Sequence, residues 1–186
     1  MATKSLLAAW LLIACVPCIA GDAALTLTSP DFAQEQRIPE RFVLNVAGCQ
    51  GGNESPELDF DGAPQGTRSF ALTVFDPDEQ ATPSGWWHWI VYDLPAGTRQ
   101  VPHGAGVVGS KALPAEASQG RSDLGTAAYH GPCPDSGQPP HRYVFTLYAL
   151  SVDKLPVPPE ASGAMVTYTA KEYTLAKATL IGRYGR

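Results

Sequence analysis

Three residues have side chains and positions that suit joint chemistry: Asp76, His88 and His141. Asp76 ends the apolar run Phe70-Ala-Leu-Thr-Val-Phe75, and His88 stands at the head of Trp89-Ile-Val-Tyr-Asp-Leu94 after an eleven-residue connection. His141 immediately precedes the run from Tyr143 to Leu150. If these runs pair as antiparallel strands, their adjoining ends bring all three residues to one edge of a sheet. Imidazole charges near neutral pH, and a carboxylate orients or charges it. A Gly131-Pro132 turn exposes backbone N–H groups while its proline fixes the chain, so the set suits a small anion such as phosphate. The same His and Asp types also serve general-base hydrolysis, which stands as a lesser alternative.

The surrounding residues admit plainer readings. His88 and His141 can hydrogen-bond loop carbonyls, Asp78 can cap the Asp76-Pro77-Asp78 turn, and Trp86, Trp87 and Trp89 suit core or rim positions. His103 and His130 lie in loops and are expected to face solvent, with Arg121 and Arg142 as rim charges. Asp76, His88 and His141 have acceptable zinc-ligand types, but their spacing is unspecific, so no metal or other cofactor is expected. The sequence has no Gly-x-Ser-x-Gly elbow, no His-Glu-x-x-His and no phosphate loop ending in Gly-Lys-Ser/Thr.

The elements that must position these side chains are short. Gly and Pro total 35 of 186 residues without a fixed period, which favours strands and tight turns over long helices. Strand-like windows fall at 25–28, 42–46, 58–60, 70–75, 87–94, 143–150 and 177–184, suggesting a sandwich or barrel-like antiparallel sheet. The windows at 70–75 and 143–150 are apolar at nearly every position and belong in the centre, covered on both faces. Residues 103–128 are rich in Gly, Ala and Ser and read as an exposed functional or mobile loop. One helix is expected over 159–173, with Ala161, Met165 and Tyr168 on one face. With 13 Lys+Arg against 18 Asp+Glu there is no basic stripe, so no nucleic-acid partner is expected.

The N-terminus carries Lys4 and then an apolar run from Leu6 to Ala14, too short to span a bilayer. Residues 1–20 read as a signal peptide cleaved after Ala20, leaving a single domain over 24–186 in the periplasm or outside the cell. Leu12-Ile-Ala-Cys15 also resembles a lipobox, which gives the alternative of a membrane-anchored lipoprotein with its lipid on Cys15. A cytosolic chain with an apolar start is the third option. Cleavage leaves two cysteines, Cys49 and Cys133, which read as a disulfide in an oxidising compartment or else as two buried thiols.

Several motifs, in order, resemble the phosphatidylethanolamine-binding protein family, and in particular its bacterial Raf kinase inhibitor-like branch. They are the run from Cys49 to Leu58, Gly62 to Thr73, Asp76-Pro77-Asp78, Trp87-His88-Trp89, Gly131-Pro132-Cys133-Pro134, His141 to Phe145, and the ending Ala178 to Arg186. The resemblance covers roughly residues 24 to 186. It implies an all-β-dominated fold: a central antiparallel Greek-key-like sheet, a second small sheet and one or two short helices. It also implies a small pocket for phosphate-like groups built from Asp76, His88, Gly131, Pro132, His141 and Tyr143. The family's usual Asp-Pro-Asp-Ala-Pro becomes Asp76-Pro77-Asp78-Glu79-Gln80, so a more acidic pocket entrance is expected. Together these readings indicate an exported, non-enzymatic binding protein for a small anionic or phosphorylated ligand, possible modulation of a protein partner included. The alternative is a protease inhibitor or another protein–protein interaction factor.

Overall fold

The computed structural model describes residues 24–186. The expected leader, its cleavage site and the lipobox cysteine therefore lie outside the described residues. In chain order the elements are β1 (Thr26–Thr28), a 3-10 turn at Glu40–Phe42, β2 (Leu58–Asp61), β3 (Ser69–Asp76), β4 (Trp86–Pro95), β5 (Gln100–Val101), β6 (Ser118–Gln119), β7 (His141–Leu150), α1 (Gly163–Tyr173) and β8 (Thr174–Tyr184). They form a five-stranded antiparallel sheet in the order β6-β4-β3-β7-β8 and a three-stranded one in the order β1-β2-β5.

Strand β3 is central because both of its faces find cover. Phe70, Leu72 and Val74 join the main core with Phe145 and Leu147 of β7 and Leu58 and Phe60 of the small sheet. On the opposite face Ala71 joins Ile90, Leu150, Val166 and Ala170 beneath the helix. The continuous apolar runs of β3 and β7 thus mean what such runs mean in a doubly covered sheet. Because β3 pairs with β4 on one side and β7 on the other, the C-terminal end of β3 meets the N-terminal ends of both neighbours. That junction carries Asp76, His88 and His141.

The helix corrects two expectations. It begins at Gly163, where Ser162 caps it by accepting the Met165 N–H, and not at residue 159, because Glu160 adopts a positive φ of 53°. Its buried face is Gly163, Val166 and Ala170, whereas Met165 and Tyr168 face solvent at 46% and 78% exposure. Close packing decides this. A Cβ on Gly163 would lie 2.2 Å from the Trp87 ring, so small side chains and not large ones meet β4.

The expected strand at 42–46 is likewise absent. Its backbone groups bond to loops instead: the Leu44 N–H donates to the Pro132 carbonyl, and the Val43 and Leu44 carbonyls accept from Asn53 and Gly51. Residues 103–128 are less exposed than expected. Ala105 is fully buried, Gly106 leaves no room for a Cβ against Trp89 and Tyr129, and β6 adds to the sheet edge.

Cys49 and Cys133 form a disulfide with their Cα atoms 6.0 Å apart, closing a loop with a sequence separation of 84. A bridge of that span contributes about 4 kcal/mol by restricting the unfolded chain. Replacing both cysteines by alanine is expected to lower the urea midpoint by a corresponding amount, and an unchanged midpoint would contradict this.

Candidate functional site

The junction owes its geometry to an irregularity. Val74 faces Trp89 and Phe75 faces Trp87, so His88 is the extra residue of a β-bulge, a device that re-aims a side chain. Trp89 packs into the main core, and the His88 ring turns to the same side, 5.0 Å from the Tyr143 ring in an edge-on arrangement. Asp76 pairs with Trp86 at the strand end, and Asp76, Trp86, His88 and Tyr143 all line one cavity of about 170 Å³. Gly131 and Cys133 close one side, Leu44 and Ala47 another, and Glu79, Ala81 and Leu124 complete the wall. The volume equals on the order of six water molecules, enough for a tetrahedral oxyanion with a short substituent.

His88 and Asp76 each have defined partners in the surrounding protein. His88 Nδ1 lies 2.8 Å from the His130 carbonyl oxygen, which only an N–H can satisfy, so the neutral ring leaves Nε2 as an acceptor. The peptide N–H of His130 returns a bond to the His88 carbonyl, fixing the pair twice. The carbonyl-bonding alternative for His88 therefore holds at one nitrogen and leaves the other free for chemistry. Burial pushes the His88 pKa below its ordinary value, against the smaller upward pulls of the His130 carbonyl and the Asp76 charge. Burial also raises Tyr143, with the Asp76 charge adding to the shift, so its hydroxyl remains a neutral donor.

The depressed His88 value has a thermodynamic consequence. The unfolded chain takes up a proton near pH 6.5 that the folded protein refuses until its own lower pKa is reached. The His88 contribution to stability is therefore complete above about pH 6.5 and is lost as pH falls through the folded value. His130, also lowered by burial, acts with the same sign. Urea unfolding at pH 7.5 and pH 5 should show the decline, and His88→Asn should reduce it; an equal decline in both proteins would contradict the assignment.

Asp76 is structural as well as pocket-lining. Its Oδ1 accepts the N–H groups of Asp78 at 2.7 Å and Glu79 at 3.0 Å, and its Oδ2 accepts His141 Nδ1 at 2.8 Å. Asp76, and not Asp78, caps the turn. Asp78 instead takes the Arg142 guanidinium in two bonds, and this pairing holds its carboxyl down at about 2. Arg142 is thus a paired charge at the rim.

Two expected site residues stand back from the cavity. His141 is 3% exposed and lies behind Asp76, with Nδ1 on Asp76 and Nε2 on Gln138 Oε1, so neither nitrogen is left for a ligand in the pocket. Pro132 contributes its carbonyl to the Leu44 N–H and does not line the cavity. The Gly131 N–H, expected to cradle an anion, donates to Asn53 Oδ1 at 2.8 Å. Gly131 itself is required, since a Cβ there would come within 2.1 Å of the Phe42 carbonyl oxygen.

His103 and His130 are both engaged, contrary to the solvent-facing expectation. His103 Nε2 meets the Asp31 carboxylate at 2.7 Å, and His130 bonds Ser122 and Thr126 through its two nitrogens. Leu44, Ala47, Ala81, Trp86, Leu124 and Cys133 line the pocket beyond the residues expected from the sequence, and Glu79, expected only at its entrance, lines it as well. The disulfide carries the signal for two of them, because a Cys49–Cys133 bridge brings the 44–49 segment beside Gly131. Among the described residues Asp76, Glu79 and His141 are the one cluster with metal-ligand geometry, their ligand atoms lying within 4.8 Å of one another. The bonds that Asp76 and His141 already make satisfy that cluster internally.

Comparison with known proteins accords with this architecture. The family model for phosphatidylethanolamine-binding proteins matches residues 28–185. The chain is 42% identical over 162 residues to the UPF0098 protein YbcL of Escherichia coli K12, covering 87% of this chain and 88% of the relative. It is 34% identical over 160 residues to the lipoprotein LppC of Mycobacterium tuberculosis, so named provisionally, covering 86% and 72% of the two chains. The crystal structure of E. coli YbcL, described as a new member of the mammalian PEBP family, superposes with a TM-score of 0.85 at 41% identity, covering 88% of this chain and 99% of the other. The doubly covered sheet, the pocket at its end and the match over almost the whole described chain lead to one conclusion: this protein belongs to the phosphatidylethanolamine-binding protein family.

Proposed function

We propose that the protein is an exported, non-enzymatic binding module that captures a small oxyanion, a phosphate-like group above all, in the cavity at the end of β3. The observation that carries this reading is His88. Its Nδ1–H is committed to the His130 carbonyl, and its ring lines a small cavity whose other walls are largely apolar. A bound anion stabilises the imidazolium, so capture draws a proton onto Nε2 and forms a charge-assisted hydrogen bond. Tyr143, buried beside His88 and kept protonated, supplies a neutral donor, while Asp76 faces the newly charged ring.

Binding is favoured over hydrolysis because the elements of turnover are not assembled. The second histidine is turned away behind Asp76, and Gly131 has spent its N–H on Asn53. Export is supported by the short apolar leader in the sequence and by the likeness to a lipoprotein. No helix among the described residues is long and apolar enough to cross a membrane.

The test is an amide chemical-shift titration with dimethyl phosphate, which carries one negative charge at any working pH. Saturable shifts clustered at His88, Gly131 and Tyr143 are expected at millimolar ligand or below. No shift at those residues would overturn the reading.

A further inference from the structure

The cavity has an unusual charge balance for an anion site. Asp76 and Glu79 both line it, and no lysine or arginine does. The Arg142 guanidinium, at the head of β7, is engaged by Asp78 in two hydrogen bonds. Asp76 is likewise committed, with three hydrogen bonds accepted from the protein. Glu79 differs. One of its carboxylate oxygens accepts the Ala81 N–H at 2.7 Å, its peptide N–H anchors to Asp76, and no cation pairs with it among the described residues. Its charge reaches into the pocket, since it contributes to the upward shift of Tyr143.

From this arrangement we propose that Glu79 is a specificity-determining residue, one that makes the pocket select singly charged oxyanions over doubly charged ones. The proposal rests on the anion-binding reading above. A captured monoanion is balanced by one imidazolium at His88. A dianion brings a second negative charge that no side chain in the cavity neutralises, and the Glu79 carboxylate repels it twice as strongly as it repels a monoanion. The favoured ligand class is therefore a diester or other singly charged oxyanion, and free phosphate or a monoester dianion is disfavoured.

Sulfate and methyl sulfate test this cleanly, because both are tetrahedral and neither changes charge between pH 5 and pH 9. Calorimetric or chemical-shift titrations are made with the wild-type protein and with Glu79→Gln, whose amide oxygen still accepts the Ala81 N–H. The wild type is expected to prefer methyl sulfate. At a separation of about 5 Å and near-aqueous screening, one charge–charge repulsion corresponds to roughly a fourfold change in affinity. Glu79→Gln should therefore raise methyl sulfate affinity about fourfold and sulfate affinity about fifteenfold, narrowing the preference about fourfold. Binding of both anions with an unchanged ratio in Glu79→Gln, or a wild-type preference for sulfate, would overturn the role of Glu79 alone. Binding of neither anion by the wild type would overturn the pocket reading and this inference with it.

Discussion

Asp76→Ala is expected to destabilise the fold by several kcal/mol, at about 1 to 3 kcal/mol for each buried donor left without its acceptor. The carboxylate is 1% exposed and serves three donors at once. Its loss leaves the Asp78 and Glu79 N–H groups without a cap and His141 Nδ1 without an acceptor inside the protein. Asp76→Asn separates the two contributions. Its amide oxygen can still accept the turn N–H groups, so it should cost less than half as much. Urea unfolding measures both, and a loss below about 1 kcal/mol for Asp76→Ala would contradict the structural role assigned here.

His88→Ala is expected to lower affinity for dimethyl phosphate tenfold or more while leaving the protein folded. A charge-assisted hydrogen bond contributes about 1.5 to 3 kcal/mol, and each 1.4 kcal/mol is a factor of ten in binding. The ring sits in a bulge at the strand end and not in the centre of β4, so its removal opens space toward the cavity and does not void the core. His141→Ala should behave differently. It acts through Asp76, so its main effect is lost stability, with weaker binding following from a displaced carboxylate. Lys171→Ala, on the surface of α1 away from the pocket, serves as the control in the titration. Equal losses of affinity for His88→Ala and Lys171→Ala would contradict the assignment.

The sequence made the framework legible because long apolar runs bounded by turn residues leave few alternatives to covered strands. β3, β4 and β7 follow from that pattern, and their antiparallel pairing brings Asp76 to His88 and His141. What the pattern could not convey is direction. The bulge that turns His88 toward the cavity depends on a register shift between Val74 and Phe75, and nothing in the order of residue types marks it. Strand-end convergence puts His141 beside the pocket and the family resemblance implies Pro132 there, but neither argument fixes which way a group faces, and the His141 ring and the Pro132 carbonyl both have partners behind the wall. The buried helix face differs from the expected one for a related reason. Hydrophobic periodicity weights large side chains, whereas the contact with β4 is so close that only Gly163, Val166 and Ala170 fit.

Glu79, Leu44 and Leu124 reach the cavity from three separate loops. Leu124 is set there because Asp123 bonds the Trp87 N–H, a contact between residues 36 positions apart that no local signal announces.

The central claim is that anion capture and protonation of His88 are one event, and its most direct test is the pH dependence of dimethyl phosphate affinity, with His88 followed through its imidazole ¹⁵N shifts. In the free protein burial holds the His88 pKa below its ordinary value, and a bound anion raises it. Between the two values each ligand bound takes up one proton, so affinity should fall about tenfold per pH unit as pH rises, levelling off below the free-protein value. Over the same range Nε2 should become protonated on saturation. An affinity flat from pH 5.5 to pH 8, with His88 neutral in the complex, would contradict the account.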